Sequence, residues 1–215
     1  MAHAFAEQTI AVSSEHGLVQ YLSMANIVKG WALAKKGSCE KGIELIYRGL
    51  EQHEAIGARL IRPHLLALLA EALGDAGLPE EGLGVLLEAF ALSKQNNDCY
   101  YDAELHRLKG ELLLTHADHR ARSDLPPEGS GGLDSDQHPF VAAEACFQEA
   151  LKIAQKQKAK SWELRAALSI ALLYERQDRN GEAHKILDRT YCLFSEGFET
   201  TDLTDAKRML DHLRA

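Results

Sequence analysis

The side chains in this chain that could do chemistry are few, and their spacing argues against a catalytic centre. His116 and His119 stand three apart around Asp118, a spacing that brings two imidazoles to one helix face and could suit a metal ion. They fall where a helical pattern runs out into a polar segment, so an ordinary helix end accounts for them. Glu80 and Glu81 form a carboxylate pair, but they sit in a first helical turn, where the macrodipole favours negative charge. That makes them capping residues rather than an acid and a base. Gly82-Leu83-Gly84 and the glycines from Gly129 to Gly132 lack the strand-turn-helix setting of a phosphate loop. His-Glu-x-x-His, Gly-x-x-x-x-Gly-Lys and Gly-x-Ser-x-Gly are absent. Cys39, Cys99, Cys146 and Cys192 are scattered singly in apolar periodic segments, which is the usage of small core residues. The expectation is a chain that is not an enzyme and holds no cofactor and no metal.

Composition narrows the partners. The 215 residues are 46% hydrophobic, ample for a core and too apolar for global disorder. With 24 Lys+Arg against 32 Asp+Glu the net charge is -8, which repels phosphate backbones, and no basic run offsets it. No nucleic acid is therefore expected as partner. Nothing approaches a membrane-spanning apolar run, so no membrane is expected either. The N-terminal residues lack the basic and apolar regions of a signal peptide, and the unpaired thiols suit a reducing compartment. A cytoplasmic location is the expectation.

The elements that must position any site repeat along the chain with a period of 40. Gly30, Ala70 and Gly110 are small residues at equal register inside apolar stretches, and Leu33, Leu73 and Leu113 follow them. Gly37 and Gly77 recur at the ends of such stretches, and Gly42 and Gly82, then Gly49 and Ala89, in the next. Leu65, Leu66, Leu68, Leu69 and Leu73 give a helical apolar face. Gly77 then predicts a helix end, Pro79 a helix start, and Ser38 an N-cap one period earlier. A mid-helix glycine costs about 1 kcal/mol relative to alanine, so its recurrence predicts close helix-helix contact. About ten helices and no sheet are expected.

These residues resemble the tetratricopeptide-repeat family. Its units place a small residue in the first helix and a glycine at the turn, then alanine, a large apolar residue and alanine in the second helix. Gly30, Gly37, Gly42, Ile46 and Gly49 fill those places, as do Ala70, Gly77, Gly82, Leu86 and Ala89. Gly110, Ala143, Phe147 and Ala150 fill a third set, and Ala171, Ala183 and Leu187 a fourth. The period is 40 rather than about 34. Segments such as Gly30-Trp31-Ala32-Leu33-Ala34 and the stretch 103–112 are similar to the C-terminal repeat regions of large bacterial signalling ATPases, including maltose-regulator-like and cyclase-domain-linked proteins.

The resemblance implies an all-α fold, a right-handed α-α superhelix of about four and a half helix pairs with a C-terminal capping helix. An orphan second helix would occupy 1–16, with repeats at 17–57, 58–97, 98–159 and 160–196 and the cap at 201–214. The spacing from Gly110 to Ala171 exceeds the period by 21, and residues 118–138, rich in Pro, Gly and Asp, are expected to form the inserted loop. Thr201-Asp202 is the expected cap of the last helix.

In such arrays the first helix of each unit lines a concave groove. Carried onto this chain, the groove residues are Met24, Ile27 and Trp31; His64 and Glu71; Glu104, Arg107 and Glu111; then Arg165, Leu172 and Glu175. The implied function is a non-catalytic protein-interaction scaffold within a larger bacterial signalling protein. Its partners would be a protein, a peptide or other domains of the same polypeptide. The alternative is a small-molecule effector sensor using the same groove. Phe5, Ile10 and Val12 on the orphan helix further suggest either self-association through the N-terminal end or further helices preceding it in the native protein.

Overall fold

Helix ends set the architecture. Left-handed backbone occurs at Gly17 (φ +65°), Gly37 (+87°), Gly57 (+68°), Gly77 (+78°) and Asn97 (+51°), a 20-residue interval kept through the first half of the chain. It returns at Lys158 (+57°) and Asp178 (+59°), again 20 apart. At each of these ends the following N–H reaches back five residues. Leu18 donates to Ser13 O (2.8 Å), Ser38 to Leu33 O (3.0 Å), Leu78 to Leu73 O (2.9 Å), Ala159 to Ala154 O (2.9 Å) and Arg179 to Tyr174 O (2.9 Å). This pattern satisfies the last orphan carbonyls of one helix. The same residue then starts the next helix: Ser38 O accepts from Gly42 N–H (2.9 Å) and Leu78 O from Gly82 N–H (3.1 Å). A left-handed residue followed by a two-way backbone relay thus turns the chain with no side chain involved.

The computed structural model describes residues 2–59, 61–122 and 139–214. Among them are ten α-helices and no strand: α1 (Ala2–Glu15), α2 (Val19–Ala34), α3 (Cys39–Ala55), α4 (Arg62–Asp75), α5 (Pro79–Asn96), α6 (Asp102–Arg122), α7 (Pro139–Gln157), α8 (Lys160–Glu175), α9 (Asn180–Tyr191) and α10 (Thr201–Leu213). A 3-10 turn, Cys99–Tyr101, precedes α6. No described helix is long and apolar enough to cross a membrane. The helices form two compact units, Met1–Tyr101 and Asp102–Ala215.

In the first unit, α1 lies on α2, α2 pairs with α3, and α4 pairs with α5 while also touching α2 and α3. The glycines at repeated register explain the α2–α3 contact. A Cβ on Gly30 would sit 2.5 Å from Gly42 O, one on Gly42 2.5 Å from Gly30 O, and one on Gly49 2.5 Å from Ile27 Cγ1. The two backbones touch directly, and their dispersion contact offsets the intrinsic cost of glycine. Having neighbours on both sides, α4 is buried nearly all round, from Leu65 through Leu73.

In the second unit, α6 pairs with α7 and α8 with α9, α8 also touches α6 and α7, and α10 covers α8 and α9. A Cβ on Gly110 would collide with the Phe147 ring, so the expected close approach occurs here too. Phe147, Leu164, Ile170, Leu173, Leu187 and Leu203 form the core. On α10, Leu203, Ala206, Met209 and Leu210 are buried while Lys207, Arg208 and Asp211 face outward.

Four expectations need correction. The cysteines are not core residues: Cys39 and Cys146 are half-buried, and Cys99 and Cys192 are exposed at the ends of the apolar stretches. Residues 118–122, assigned to the inserted loop, continue α6 to Arg122; the rest of that loop, 123–138, lies outside the described residues. No glycine or proline stops the helix there, and His119, Arg120 and Arg122 suit the negative end of its dipole. Ser38 precedes α3, yet its hydroxyl makes no cap hydrogen bond. Its backbone (φ -95°, ψ 55°) is committed to the relay above and is not the extended geometry a side-chain cap needs. Before α10 the capping position is Thr200 rather than Thr201-Asp202, again with no side-chain bond.

Candidate functional site

The expected groove residues are described unit by unit. In the first, Ile27 is fully buried against Gly49 and belongs to the α2–α3 core, so no open surface reaches it. Met24 and Trp31 on α2 and His64 and Glu71 on α4 are all half-buried. The Trp31 indole N–H donates to Glu71 Oε2 at 2.7 Å. Lys35 Nζ lies 2.8 Å from Glu71 Oε1 and 2.8 Å from Asp75 Oδ2. Burial alone would lower the Lys35 ammonium, but the fields of Glu71 and Asp75 outweigh it, and the pKa is held above its ordinary 10.5. The His64 ring stacks on Tyr101, centroids 4.1 Å apart.

Both rungs join residues one period apart, 31 to 71 and 35 to 75. The sequence reading found the first pair as separate groove residues and missed the second altogether. The signal was present: opposite or complementary polar groups at equal register on successive first helices. A buried contact between Ser23 Oγ and His53 Nδ1 at 3.2 Å further ties α2 to α3.

In the second unit, Glu104 and Arg107 on α6 are buried, at 2% and 5% exposure. Arg107 grips Glu104 with both arms of its fork, Nε to Oε2 at 3.0 Å and Nη2 to Oε1 at 2.7 Å. Its remaining nitrogen, Nη1, donates to Glu111, whose Oε1 also accepts from Ser169 Oγ at 3.1 Å. Arg165 on α8 reaches Glu104 Oε1 at 2.9 Å. One carboxylate therefore serves two guanidiniums across the α6–α8 contact, and the charges are compensated within the cluster. Glu175 meets His212 of α10 at 2.7 Å. Leu172, between Arg165 and Glu175 on α8, is 46% exposed and is the apolar opening on this face.

These contacts brace neighbouring helices. Their carboxylates are held by cations and donors rather than aimed at a nucleophile. Among the described residues no cluster of three His, Cys, Asp or Glu side chains could hold a metal ion. His106 is pulled below its ordinary value by burial, against Glu149 and Asp102, and burial raises the Cys146 thiol. Burial and then the hydrogen bond to Glu144 raise the Tyr174 phenol, over whose ring Arg179 sits at 3.7 Å. Each of these shifts follows from a packing contact. No protein-family model and no curated protein matches this chain.

Proposed function

We propose that the chain is a non-catalytic protein-interaction scaffold of the tetratricopeptide type, coiled as a right-handed superhelix of about four and a half helix pairs, with α10 as its terminal cap. The observation that carries this reading is the rung pattern between successive first helices. Trp31–Glu71, Lys35–Asp75 and Glu104–Arg165 each join residues at equal register, which fixes the spacing of the face they line. A face braced in this way is preorganised, and preorganisation lowers the entropy lost when an extended partner docks. In the second unit the open groups on it are Leu172 and the outer part of Glu111. They suit a peptide that sets a donor side chain beside an apolar anchor. Service within a larger bacterial signalling protein is the corresponding cellular role.

The test is selection from a displayed peptide library, followed by solution titration. Leu172→Glu should weaken a selected peptide about ten-fold or more, the loss of one buried apolar anchor, and leave the melting temperature unchanged. Failure to select any peptide, together with a metabolite that raises the melting temperature, would establish the effector-sensing reading instead.

A further inference from the structure

The outer face of α1 differs from the equivalent face of α3 one period later. Ala4, Phe5, Gln8, Ala11, Val12 and Glu15 are all exposed, with Phe5 at 61% and Val12 at 52%. At 100° per residue they fall on one side of the helix, opposite the buried Ala6 and Ser13. The face carries no charge until Glu15. One period later, α3 presents Glu44, Arg48 and Glu51 at the matching positions, with Glu44 and Arg48 ion-paired. The charges α1 does have near its start, His3 and Glu7, turn to the flank, where Glu7 meets Lys29 of α2 at 3.3 Å. Leu18, Val19 and Tyr21, in the turn after α1 and at the start of α2, are exposed as well.

We infer that this face binds a second copy of the chain through an antiparallel, two-fold pairing of α1 with α1 centred on Gln8. The face is complementary to itself in that register. Phe5 of one copy falls opposite Ala11 of the other, and Val12 opposite Ala4, so large residues meet small ones on both sides of the dyad. Gln8 meets Gln8, and a primary amide is both donor and acceptor, so the pair satisfies itself. Glu15 reaches the first turn of the other α1, which has no acidic residue of its own, and the positive end of that helix favours the carboxylate. Charge selects the location as well. On a chain of net charge -8 two copies repel broadly, and this neutral helix face is where they can approach. One helix face is smaller than the ~800 Å² per partner of a standard stable interface, so the pairing is weak and depends on concentration.

Sedimentation velocity on the full chain should show the mass moving from one copy toward two as concentration rises. Gln8→Glu and Gln8→Lys each place like charges at the dyad, and each should weaken association about ten-fold or more. Position 8 is exposed, so circular dichroism should show the helix content unchanged in both variants. Mixing the two variants should restore association, because opposite charges then meet at the dyad. A single-copy mass at the highest concentration overturns the proposal and leaves the face to a different segment. A mixture no more associated than either variant alone, or open-ended assemblies in place of a two-copy species, overturns it as well.

Discussion

The two units brace their first helices with rungs at equal register, but at different depths. In the first, Glu71 holds the Trp31 indole and the Lys35 ammonium, and Lys35 remains about a third exposed. In the second, the rung carboxylate Glu104 is almost completely removed from water together with Arg107 on its own helix, while its cross-helix partner Arg165 stays about a third exposed. The shallow rung can fall back on solvent when a partner is lost, whereas the deep one cannot. Glu104→Ala removes the bidentate partner of the buried Arg107, and breaking a buried ion pair from one side costs about 3–5 kcal/mol. Glu71→Ala, at the shallow site, should cost about 1 kcal/mol, mostly the indole hydrogen bond. Urea unfolding of both variants compares them directly. Equal losses would mean that burial depth does not separate the two rungs.

The close helix contacts differ in kind as well. Gly30 faces backbone, the Gly42 carbonyl, while Gly110 faces the ring of Phe147. Alanine at either position overpacks the contact, at about 1–3 kcal/mol. Only the second clash lies wholly with a side chain that can be trimmed. Gly110→Ala should therefore be partly rescued by Phe147→Leu, with a favourable coupling energy in the double-mutant cycle. Gly30→Ala should show no such coupling with Ile46→Ala, which removes the Cγ1 at 2.8 Å, since the nearer obstructing atom, the Gly42 carbonyl oxygen at 2.5 Å, belongs to the main chain. Rescue at both positions would show that the α2–α3 backbones can separate without loss.

Much of this fold was legible because its determinants are local and periodic. Gly37 and Gly77 mark turns since their left-handed backbone is intrinsic to the residue type, and Gly30 and Gly110 mark close contacts since nothing larger fits. The depth of the groove residues was not legible. Ile27, Glu104 and Arg107 occupy positions that helical spacing places on a first-helix face, but how far a neighbouring helix covers them depends on tertiary packing. The extent of α6 was not legible either: the polar composition of 118–122 suits a loop, yet the stretch carries no glycine or proline that would end the helix.

The smallest effect concerns the residues at the left-handed helix ends. The first unit fills four of its five 20-residue-spaced ends with glycine, whereas the second has Lys158 and Asp178 at the equivalent places. A side chain in this backbone region costs about 1–2 kcal/mol, less for Asp, whose short polar group is tolerated there. Glycine removes that cost but adds about 0.5–1 kcal/mol of unfolded-chain entropy. For Lys158→Gly the first term is the larger, so the variant should gain about 0.5 kcal/mol. For Asp178→Gly the two terms nearly cancel and no change is expected. Gly77→Ala runs the comparison in reverse and should lose about 1 kcal/mol. All three are read as shifts in the urea midpoint at constant slope. If Lys158→Gly instead fell alongside Gly77→Ala, the strain at residue 158 would be outweighed by something its side chain does in the folded chain, and the two units would not share one turn chemistry.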